Sequence, residues 1–158
     1  MSINVEEQYD KIYRYCYFKL RHQQIAEDVT QETFLRYFQR YGYKREEEAL
    51  KCLYTIAKNL CIDEYRKSRE DIMHEEGTWG KNICGDMQEK QIINRLAVQK
   101  ALSELGQDEQ ELLLLRYVNE VPVAAIGQIY GISRFAVRRR LISVEKKFRK
   151  LLEREGFA

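Results

Sequence analysis

Residues 121–152, VPVAAIGQIYGISRFAVRRRLISVEKKFRKLL, decide the fold of the second half of the chain. Pro122 suits the first turn of a short helix, because its missing N–H would be unpaired there in any case. Gly131 can take the left-handed conformation that a tight turn needs, and Ser133 is a typical N-cap for a second, longer helix. Apolar residues at alternating steps of four and three give that helix one inward stripe: Val137, Leu141, Val144, Phe148 and Leu151. The pattern predicts a helix-turn-helix, in which Gly127 lets the two helices cross closely.

The long second helix also carries the densest charge in the chain. Residues 133–150 hold eight Lys/Arg side chains against one Glu, a net charge of +7, whereas the whole chain has a net charge of +2. Such a focused basic block indicates a polyanionic partner. Arginines near the start of a recognition helix can bond guanine edges, and basic residues further along suit phosphates. The side chains expected to contact DNA are Ser133, Arg134, Phe135, Arg138, Arg139 and Lys146.

A solvated basic helix face is the alternative interpretation of these charges. The preceding short helix, the glycine and the serine cap favour DNA binding, because all three stand in the register of a helix-turn-helix. Arg140 is the arginine that a purely structural role explains best.

The composition favours a packed helical protein. One proline and eight glycines in 158 residues are too few for a turn-dense sandwich or barrel, while 44% of the residues are hydrophobic and 33% charged. No apolar run approaches the roughly 18 residues of a membrane span, so no membrane insertion is expected. The charged N-terminus is unlike a secretory signal, and a cytoplasmic protein is predicted.

The motifs of the common enzyme classes are missing from the sequence. No glycine-rich phosphate loop, HExxH run or Ser/His/Asp set occurs, and the two histidines stand apart. The four cysteines never occur as CxxC, and in a reducing cytosol we expect three buried thiols, at positions 16, 52 and 61, and one loop thiol at position 84. The sequence therefore predicts no catalytic residue, no metal site and no cofactor.

Three amphipathic helices are predicted in the first half, the second over 25–41 and the third over 49–67. Their apolar stripes include Ile12, Cys16 and Leu20, then Val29, Phe34, Tyr37, Phe38 and Tyr41, and then Ala49, Leu53, Ala57 and Cys61. The segment 69–92 is acidic, contains three glycines and has no period, which indicates a flexible linker. The predicted fold class is all-α: two small helical domains, 1–68 and 93–158, each with its own core, joined by the linker 69–92.

Polar side chains on the second and third helices exceed what packing needs. Asp28, Gln31 and Glu32 form a ridge that could meet another helical surface. The third helix interleaves basic, aromatic and amide groups, a mixture that suits single-stranded DNA because aromatic rings stack on unpaired bases. These residues are Lys51, Tyr54, Lys58, Asn59, Arg66 and Lys67. Tyr54 and Tyr65 also fit the alternative of half-buried helix residues.

Two ordered stretches resemble a known family. AEDVTQETFLRYF (26–38) with LYTIAKNLCIDEYRK (53–67) resembles region 2 of the bacterial sigma-70 factors. ALSELGQDEQELLLLRY (101–117) with AIGQIYGISRFAVRRRL (125–141) resembles their region 4. The order and spacing are similar to the extracytoplasmic-function (ECF) group, which keeps only these two domains.

This resemblance implies an RNA polymerase sigma factor that binds core polymerase, recognises the −35 and −10 promoter elements and promotes DNA melting. Asp28, Gln31 and Glu32 would bind the clamp helices of the polymerase, and residues 112–117 its flap. Region 4 would read the −35 duplex with the helix that begins at Ser133. The −10 element would be held by the loop 42–47 and the third helix, through Tyr43, Lys44, Tyr54, Lys58, Asn59, Arg66 and Lys67. The partners implied are core RNA polymerase, promoter DNA and an anti-sigma factor.

The chain departs from the family pattern at three places. Cys52 stands where many ECF factors have tryptophan. The triplet AIG replaces the frequent EIA, which puts Gly127 inside a helix at a cost of about 1 kcal/mol. Residues 136–140 read AVRRR instead of the usual TVKSR, which predicts an unusual −35 preference.

A stand-alone helix-turn-helix regulator is the competing interpretation. Such a regulator would have no need for the ridge of Asp28, Gln31 and Glu32 or for the KNLCIDEYRK stretch.

Overall fold

The structure, a computed structural model, describes residues 4–40, 46–67 and 89–156. These residues form seven α-helices and one short π-helical segment, with no strand among them, which confirms the all-α prediction. The elements are α1 (Val5–Leu20), α2 (Gln23–Arg40), α3 (Glu46–Lys67), α4 (Glu89–Ser103), α5 (Gln107–Leu113), the π segment (Leu114–Val118), α6 (Val123–Tyr130) and α7 (Arg134–Arg154). Of the predicted linker, only the last four residues lie in the described ranges, and they begin α4.

Helices α1, α2 and α3 form an N-terminal unit around buried aromatic rings. The Asn4 side chain caps α1 by accepting the Glu7 N–H at 3.1 Å, and α1 ends at Arg21 in the left-handed conformation, with φ 54°. Tyr15 and Tyr54 meet edge to face with ring centroids 5.4 Å apart, a favourable geometry for aromatic pairs. The buried residues include Ile12, Cys16, Leu20, Val29, Phe34, Tyr37, Leu53, Ala57 and Cys61.

Helices α4 to α7 form a C-terminal unit that contains the predicted helix-turn-helix. Pro122 is the N-cap of α6, one position earlier than expected, and α6 ends at Gly131 with φ 70°. Ser133 caps α7, because its Oγ accepts the Ala136 N–H at 3.1 Å. The predicted stripe of α7 faces inward, with Phe148 half-buried and four residues buried: Val137, Leu141, Val144 and Leu151.

The π segment between α5 and α6 changes the direction of the chain. The Asn119 N–H bonds the Leu114 carbonyl at 2.9 Å, which closes the wide turn typical of a π-helix. Glu120 follows with φ 54°. This turn directs the Asn119 side chain into the protein, where it is 1% exposed.

The expectation of two separate cores is wrong for this arrangement. α3 packs against α6, and the buried apolar residues form one continuous cluster from Ile12 to Leu151. The apolar periodicity predicts which face of each single helix is buried. It does not predict that α6 of one unit packs against α3 of the other.

Two further expectations about burial also fail. The periodicity predicts Phe38 on the inward stripe of α2, but it is 47% exposed because it lies at the edge of that stripe, beyond Phe34. Cys52 is half-buried, while Cys16 and Cys61 are buried as expected. Tyr41 and Cys84 lie outside the described residues.

Candidate nucleic-acid and protein interfaces

The exposed face of α7 begins at the turn of the helix-turn-helix. Arg134, Arg138 and Arg139 are all exposed in the first two turns of the helix. Phe135 is 56% exposed, and the Arg134 guanidinium lies 5.3 Å from the centre of its ring, within cation–π range. The structure therefore brings the predicted DNA-contacting residues together around the capped start of α7, next to Ser133.

An apolar residue that the sequence analysis missed lies among these cations. Ile142 is 65% exposed and follows Arg138 by four residues and Phe135 by seven, so it shares their side of the helix. Lys146, four residues further on, is exposed as well. Its exposure could have been predicted from the sequence, because Ile142 lies outside the inward stripe of α7. We call Arg134, Phe135, Arg138, Arg139, Ile142 and Lys146 the α7 face.

Gly127 sets the distance between α6 and the turn that follows it. A Cβ atom at this position would lie 2.7 Å from the Ile132 carbonyl oxygen and 3.4 Å from the Arg134 backbone nitrogen. The Ile132 N–H bonds the Gly127 carbonyl at 2.9 Å. The glycine thus allows the turn to fold back on α6, and this positions the start of α7.

The polar ridge on α2 continues into two exposed apolar residues. Asp28 and Gln31 are exposed, and Glu32 is half-buried with its carboxylate 2.9 Å from Arg36 Nε. Leu35 is 58% exposed and Phe38 is 47% exposed. Steps of three, four and three residues bring four of these side chains onto one side of the helix. We call Asp28, Gln31, Leu35 and Phe38 the α2 surface; its apolar half was missed because Phe38 fits the inward stripe equally well.

The candidate −10 residues on α3 differ in accessibility. Asn59, Arg66 and Lys67 are exposed, whereas Lys58 is half-buried with its ammonium 5.8 Å from the centre of the Tyr130 ring. Tyr54 is fully buried, and its hydroxyl accepts a hydrogen bond from Asn119. Burial raises the pKa of Tyr54 well above its usual range. Two other predicted members, at positions 43 and 44, and the loop 42–45 lie outside the described residues.

Buried polar groups connect the two units. Asn119 Nδ2 donates to the Lys11 carbonyl at 2.8 Å and to the Tyr54 hydroxyl at 3.0 Å, and Arg14 donates to Asn119 Oδ1 at 3.4 Å. The side chain of Glu111 is 3% exposed and pairs with Lys19. We call Lys19, Tyr54, Glu111, Asn119 and Tyr130 the junction.

Tyr130 completes the junction from α6. Its hydroxyl donates a hydrogen bond to the Glu111 carboxylate. Burial is the main cause that raises the pKa of Tyr130 far above its usual range, and the negative charge of Glu111 raises it further. The hydroxyl therefore keeps its proton at physiological pH, and it remains a donor to the carboxylate.

A cleft of about 450 Å³ opens beside the junction. Its lining includes Lys19, Arg21, Lys58, Tyr65 and Arg66 from the N-terminal unit, and Gln107 and Gln110 from α5. Lys19 is paired with Glu111, and the three other cations of the lining give the opening an excess of positive charge, which favours anions. The wall formed by α3 is the wall that carries the candidate −10 residues.

Within the described ranges, no three His, Cys, Asp or Glu side chains are close enough together to hold a metal ion. The pKa of the Cys61 thiol is raised well above its usual range by its hydrogen bond with Cys16 and by burial. Since the thiolate is the reactive form, this thiol is held in its inert state. Nor does any helix of the described residues have the length and apolar character needed to cross a membrane.

Comparison with known families and structures yields one consistent group. Residues 5–70 match the family described as Sigma-70 region 2, and residues 101–150 match Sigma-70, region 4. The structure of the sigma factor RpoE in complex with the anti-sigma factor NepR from Bartonella quintana has a similar fold. Its TM-score is 0.61 at 18% identity, over 92% of this chain and 91% of that chain.

Two curated proteins show the likeness along the chain. The ECF RNA polymerase sigma factor SigW of Bacillus subtilis is 29% identical over 156 residues, which cover 90% of this chain and 83% of SigW. BldN of Streptomyces coelicolor, named likewise as an ECF sigma factor, is 30% identical over 139 residues. That match covers 82% of this chain, but the chain spans only about half the length of BldN (51%).

Both halves of the chain thus match successive regions of one family, in the family's order, and the fold agrees with a solved member. The chain belongs to the sigma-70 family of RNA polymerase sigma factors, in the ECF group.

Proposed function

We propose that this chain is a promoter-specificity subunit of bacterial RNA polymerase that works in the cytosol and has no catalytic step of its own. It binds core polymerase through the α2 surface, reads the −35 duplex with the α7 face and holds melted −10 bases against α3. The observation that supports this most strongly is the presence, in one chain, of a capped basic recognition helix and a separate exposed surface for a protein partner. We propose 1–68 and 93–158 as the two functional domains.

The α2 surface suits a protein partner better than DNA. Asp28 would be repelled by phosphates, while Leu35 and Phe38 offer apolar area in direct continuation of the polar residues. Exposed aromatic and aliphatic side chains beside a few hydrogen-bonding groups are typical of protein–protein contact regions. We therefore extend the proposed clamp-binding set of Asp28, Gln31 and Glu32 by these two residues.

The α7 face suits the major groove of duplex DNA. Arg134, Arg138 and Arg139 project from the first two turns of α7, the part of a recognition helix that reaches base edges. Exposed apolar groups among them can contact thymine methyl groups, and Phe135 is positioned for such a contact. Lys146 lies further along, where phosphate contacts are expected.

Arg138→Ala is expected to weaken binding to the −35 element by about 1–3 kcal/mol, because a bidentate bond to a guanine edge is lost. The measurement is equilibrium binding of the polymerase holoenzyme to a duplex carrying the element and to a scrambled duplex. The loss should be confined to the first duplex. Lys146→Ala is the matched control, with a similar loss on both duplexes; an equal loss on both for Arg138→Ala would make Arg138 a phosphate contact.

Asn59→Ala is expected to leave promoter capture intact and to impair opening. Asn59 is exposed on α3, and an amide can bond the edge of an unpaired base that has been flipped out of the stack. Permanganate reactivity of the −10 thymines measures opening, and gel retention measures capture. Asp63→Ala, another exposed position on α3, serves as control. Normal permanganate reactivity in the Asn59 variant would refute its role in the pocket.

Transcription in vitro tests the proposed function as a whole. Purified core polymerase, the full chain and a library of randomised promoters are combined, and the RNA 5′ ends are sequenced. Transcripts that share two upstream motifs at a fixed spacing are the expected result. If no transcripts form and the chain does not co-elute with core polymerase, an autonomous DNA-binding regulator becomes the better interpretation.

An anti-sigma factor is a further proposed partner. The Bartonella quintana relative was solved in complex with one. In this chain, the exposed Leu35 and Phe38 would offer an inhibitor apolar area that core polymerase also needs. Competition between such an inhibitor and core polymerase for the full chain would test this proposal.

A further inference from the structure

The cleft beside the junction brings together cations from two helices of the N-terminal unit. Arg21 lies at the end of α1, and Lys58 and Arg66 lie about two helical turns apart on α3. None of the nine described residues that line the cleft is acidic. Because Lys19 is neutralised by Glu111, the excess of positive charge comes from Arg21, Lys58 and Arg66. The cleft therefore suits a ligand that carries several negative charges.

Another part of the cleft wall is apolar and aromatic. Ile62 is 40% exposed and Tyr65 is 47% exposed, and both line the cleft. They are three residues apart on α3, so their side chains lie on the same side of the helix. An exposed tyrosine ring gives a planar heterocycle a surface on which to stack. The cations and this ring face one cleft, so a ligand with an anionic part and a planar aromatic part matches both.

Two amides from α5 form the opposite part of the lining. Gln107 is exposed, and Gln110, one turn later, is buried. Gln110 Nε2 donates hydrogen bonds to the Leu102 carbonyl at 2.7 Å and to the Leu105 carbonyl at 3.0 Å. These two bonds fix the plane of the amide, and its oxygen is the atom that can accept an N–H or O–H from a ligand. A few polar groups held in place in this way orient a ligand in its site.

The backbone at Arg21 is strained. Its φ of 54° lies in the left-handed region, where a helix most often ends in glycine because a Cβ atom is unfavourable there. The side chain is half-buried and lines the cleft. The way α1 ends therefore gives no reason for an arginine at this position, whereas an anionic ligand in the cleft does.

We propose that the cleft is a binding site for a nucleoside polyphosphate, with the phosphates at Arg21, Lys58 and Arg66 and the base against Tyr65. The volume of about 450 Å³ lies within the range of about 300–1,000 Å³ that is typical of small-molecule sites. Three cations match the charge of a di- or triphosphate. An inorganic polyphosphate would leave the tyrosine ring without a contact, and an uncharged nucleoside would leave the cations without one.

Binding in the cleft does not depend on the proposed function, but its consequence rests on that function. Lys58 and Arg66 also belong to the proposed −10 set, whereas Arg21 and Tyr65 do not. A bound nucleotide would occupy the two shared cations and would compete with melted −10 bases for the free chain. Variants of Arg21 and Tyr65 therefore test the nucleotide site without removing a proposed DNA contact.

Equilibrium dialysis of the full chain against radiolabelled ATP and GTP tests the proposal. Saturable binding of one nucleotide per chain is expected, with a dissociation constant below about 1 mM. Inorganic tripolyphosphate and adenosine should each compete at least about tenfold more weakly than ATP, because each makes only one of the two sets of contacts. Absence of saturable binding for both nucleotides would overturn the proposal. So would tripolyphosphate that competes as well as ATP, since the base would then contribute nothing.

Two variants separate the phosphate contacts from the base contact. Arg21→Gly removes a charge and suits the left-handed backbone, and it should weaken ATP and tripolyphosphate alike by about tenfold or more. Tyr65→Ala should weaken ATP about tenfold and leave tripolyphosphate unchanged, and Tyr65→Phe should restore ATP binding because it restores the ring. Circular dichroism checks that the helices of each variant remain folded.

Arg149→Ala is the matched control, because it removes an exposed arginine of α7 that does not line the cleft. It should bind ATP like the wild type. An equal loss in Arg149→Ala would mean that the nucleotide is held by the basic helix α7, and this would overturn the proposal. Wild-type binding by Arg21→Gly would place the nucleotide outside the cleft and would overturn it as well.

Competition with DNA tests the consequence. A labelled single-stranded oligonucleotide, with the −10 sequence that the promoter library yields, is bound to the free chain and titrated with ATP. Displacement is expected from the wild type and at least about tenfold more ATP is needed with Arg21→Gly. An oligonucleotide that stays bound at saturating ATP would overturn the placement of the phosphates at Lys58 and Arg66. If the chain directs no transcription, the proposed function fails, while dialysis still decides whether the nucleotide site exists.

Discussion

Replacing Asp28 and Gln31 together by alanine abolishes co-elution with core polymerase, and with it promoter-directed transcription, if the α2 surface is the clamp contact. Both side chains are exposed and have no role in the core, so the helical circular dichroism should not change. A few central residues carry most of the free energy of a protein interface, and losing two of them costs about 2–4 kcal/mol, a 30- to 1,000-fold loss of affinity.

Asp10→Ala is the control for this variant, since it removes an exposed carboxylate from α1 and leaves every residue of the α2 surface unchanged. Phe38→Ala separates the polar half of the surface from its apolar half. Phe38 is 47% exposed, so truncation should weaken polymerase binding with a small effect on the free energy of unfolding. Unchanged co-elution of the double variant would exclude the α2 surface as the contact.

Gly127→Ala is expected to destabilise the helix-turn-helix, although glycine to alanine inside a helix ordinarily stabilises by about 1 kcal/mol. The added Cβ would lie 2.7 Å from the Ile132 carbonyl oxygen, and the atom it meets is backbone that cannot rotate away. Overpacking of this kind typically costs about 1–3 kcal/mol, which exceeds the gain in helix propensity. Because Ile132 precedes the cap of α7, the shift should also weaken −35 binding.

Urea unfolding followed by circular dichroism measures this change. Gln128→Ala is the matched control, because Gln128 is the exposed neighbour in the same helix and gains helix propensity without a clash. A Gly127→Ala protein as stable as the wild type would mean that the turn relaxes at no cost. In that case glycine would be dispensable for the contact between α6 and the turn.

The helix-turn-helix could be predicted from the sequence because its determinants are local. The positive φ of Gly131 and the cap provided by Ser133 act within a few residues, and the stripe of α7 repeats along a single helix. The same holds for the ends of α2 and α3, which lie within three residues of their predicted positions.

The junction could not be predicted in this way. Tyr54 has the spacing of a polar-face residue on α3, and its burial depends on Asn119, which lies 65 residues away in the chain. Asn119 in turn reaches that position through the π segment, which the apolar periodicity does not predict. Phe38 shows the opposite error, because it is predicted to be buried and is exposed. Periodicity places it on the apolar stripe of α2 but does not tell whether another helix covers the edge of that stripe.

The predicted sites also differ in how far the local sequence determines their exposure. The residues of α7 that we propose as DNA contacts form one exposed face, as their spacing indicates, and Ile142 is the addition that exposure reveals. The proposed −10 residues on α3 are partly exposed and partly buried, because their accessibility depends on the position of the C-terminal unit.

The exposed Ile142 and Phe135 bear on how promoter binding responds to ionic strength. Cations that neutralise phosphates release condensed counterions from DNA, so each such contact steepens the loss of affinity with added salt. Apolar contact with base methyl groups releases no counterions. If the α7 face binds DNA as proposed, its two exposed apolar side chains would retain part of the binding free energy at high ionic strength. That retained part would come from contacts with base edges, so added salt should weaken attachment to arbitrary DNA more than attachment to the promoter.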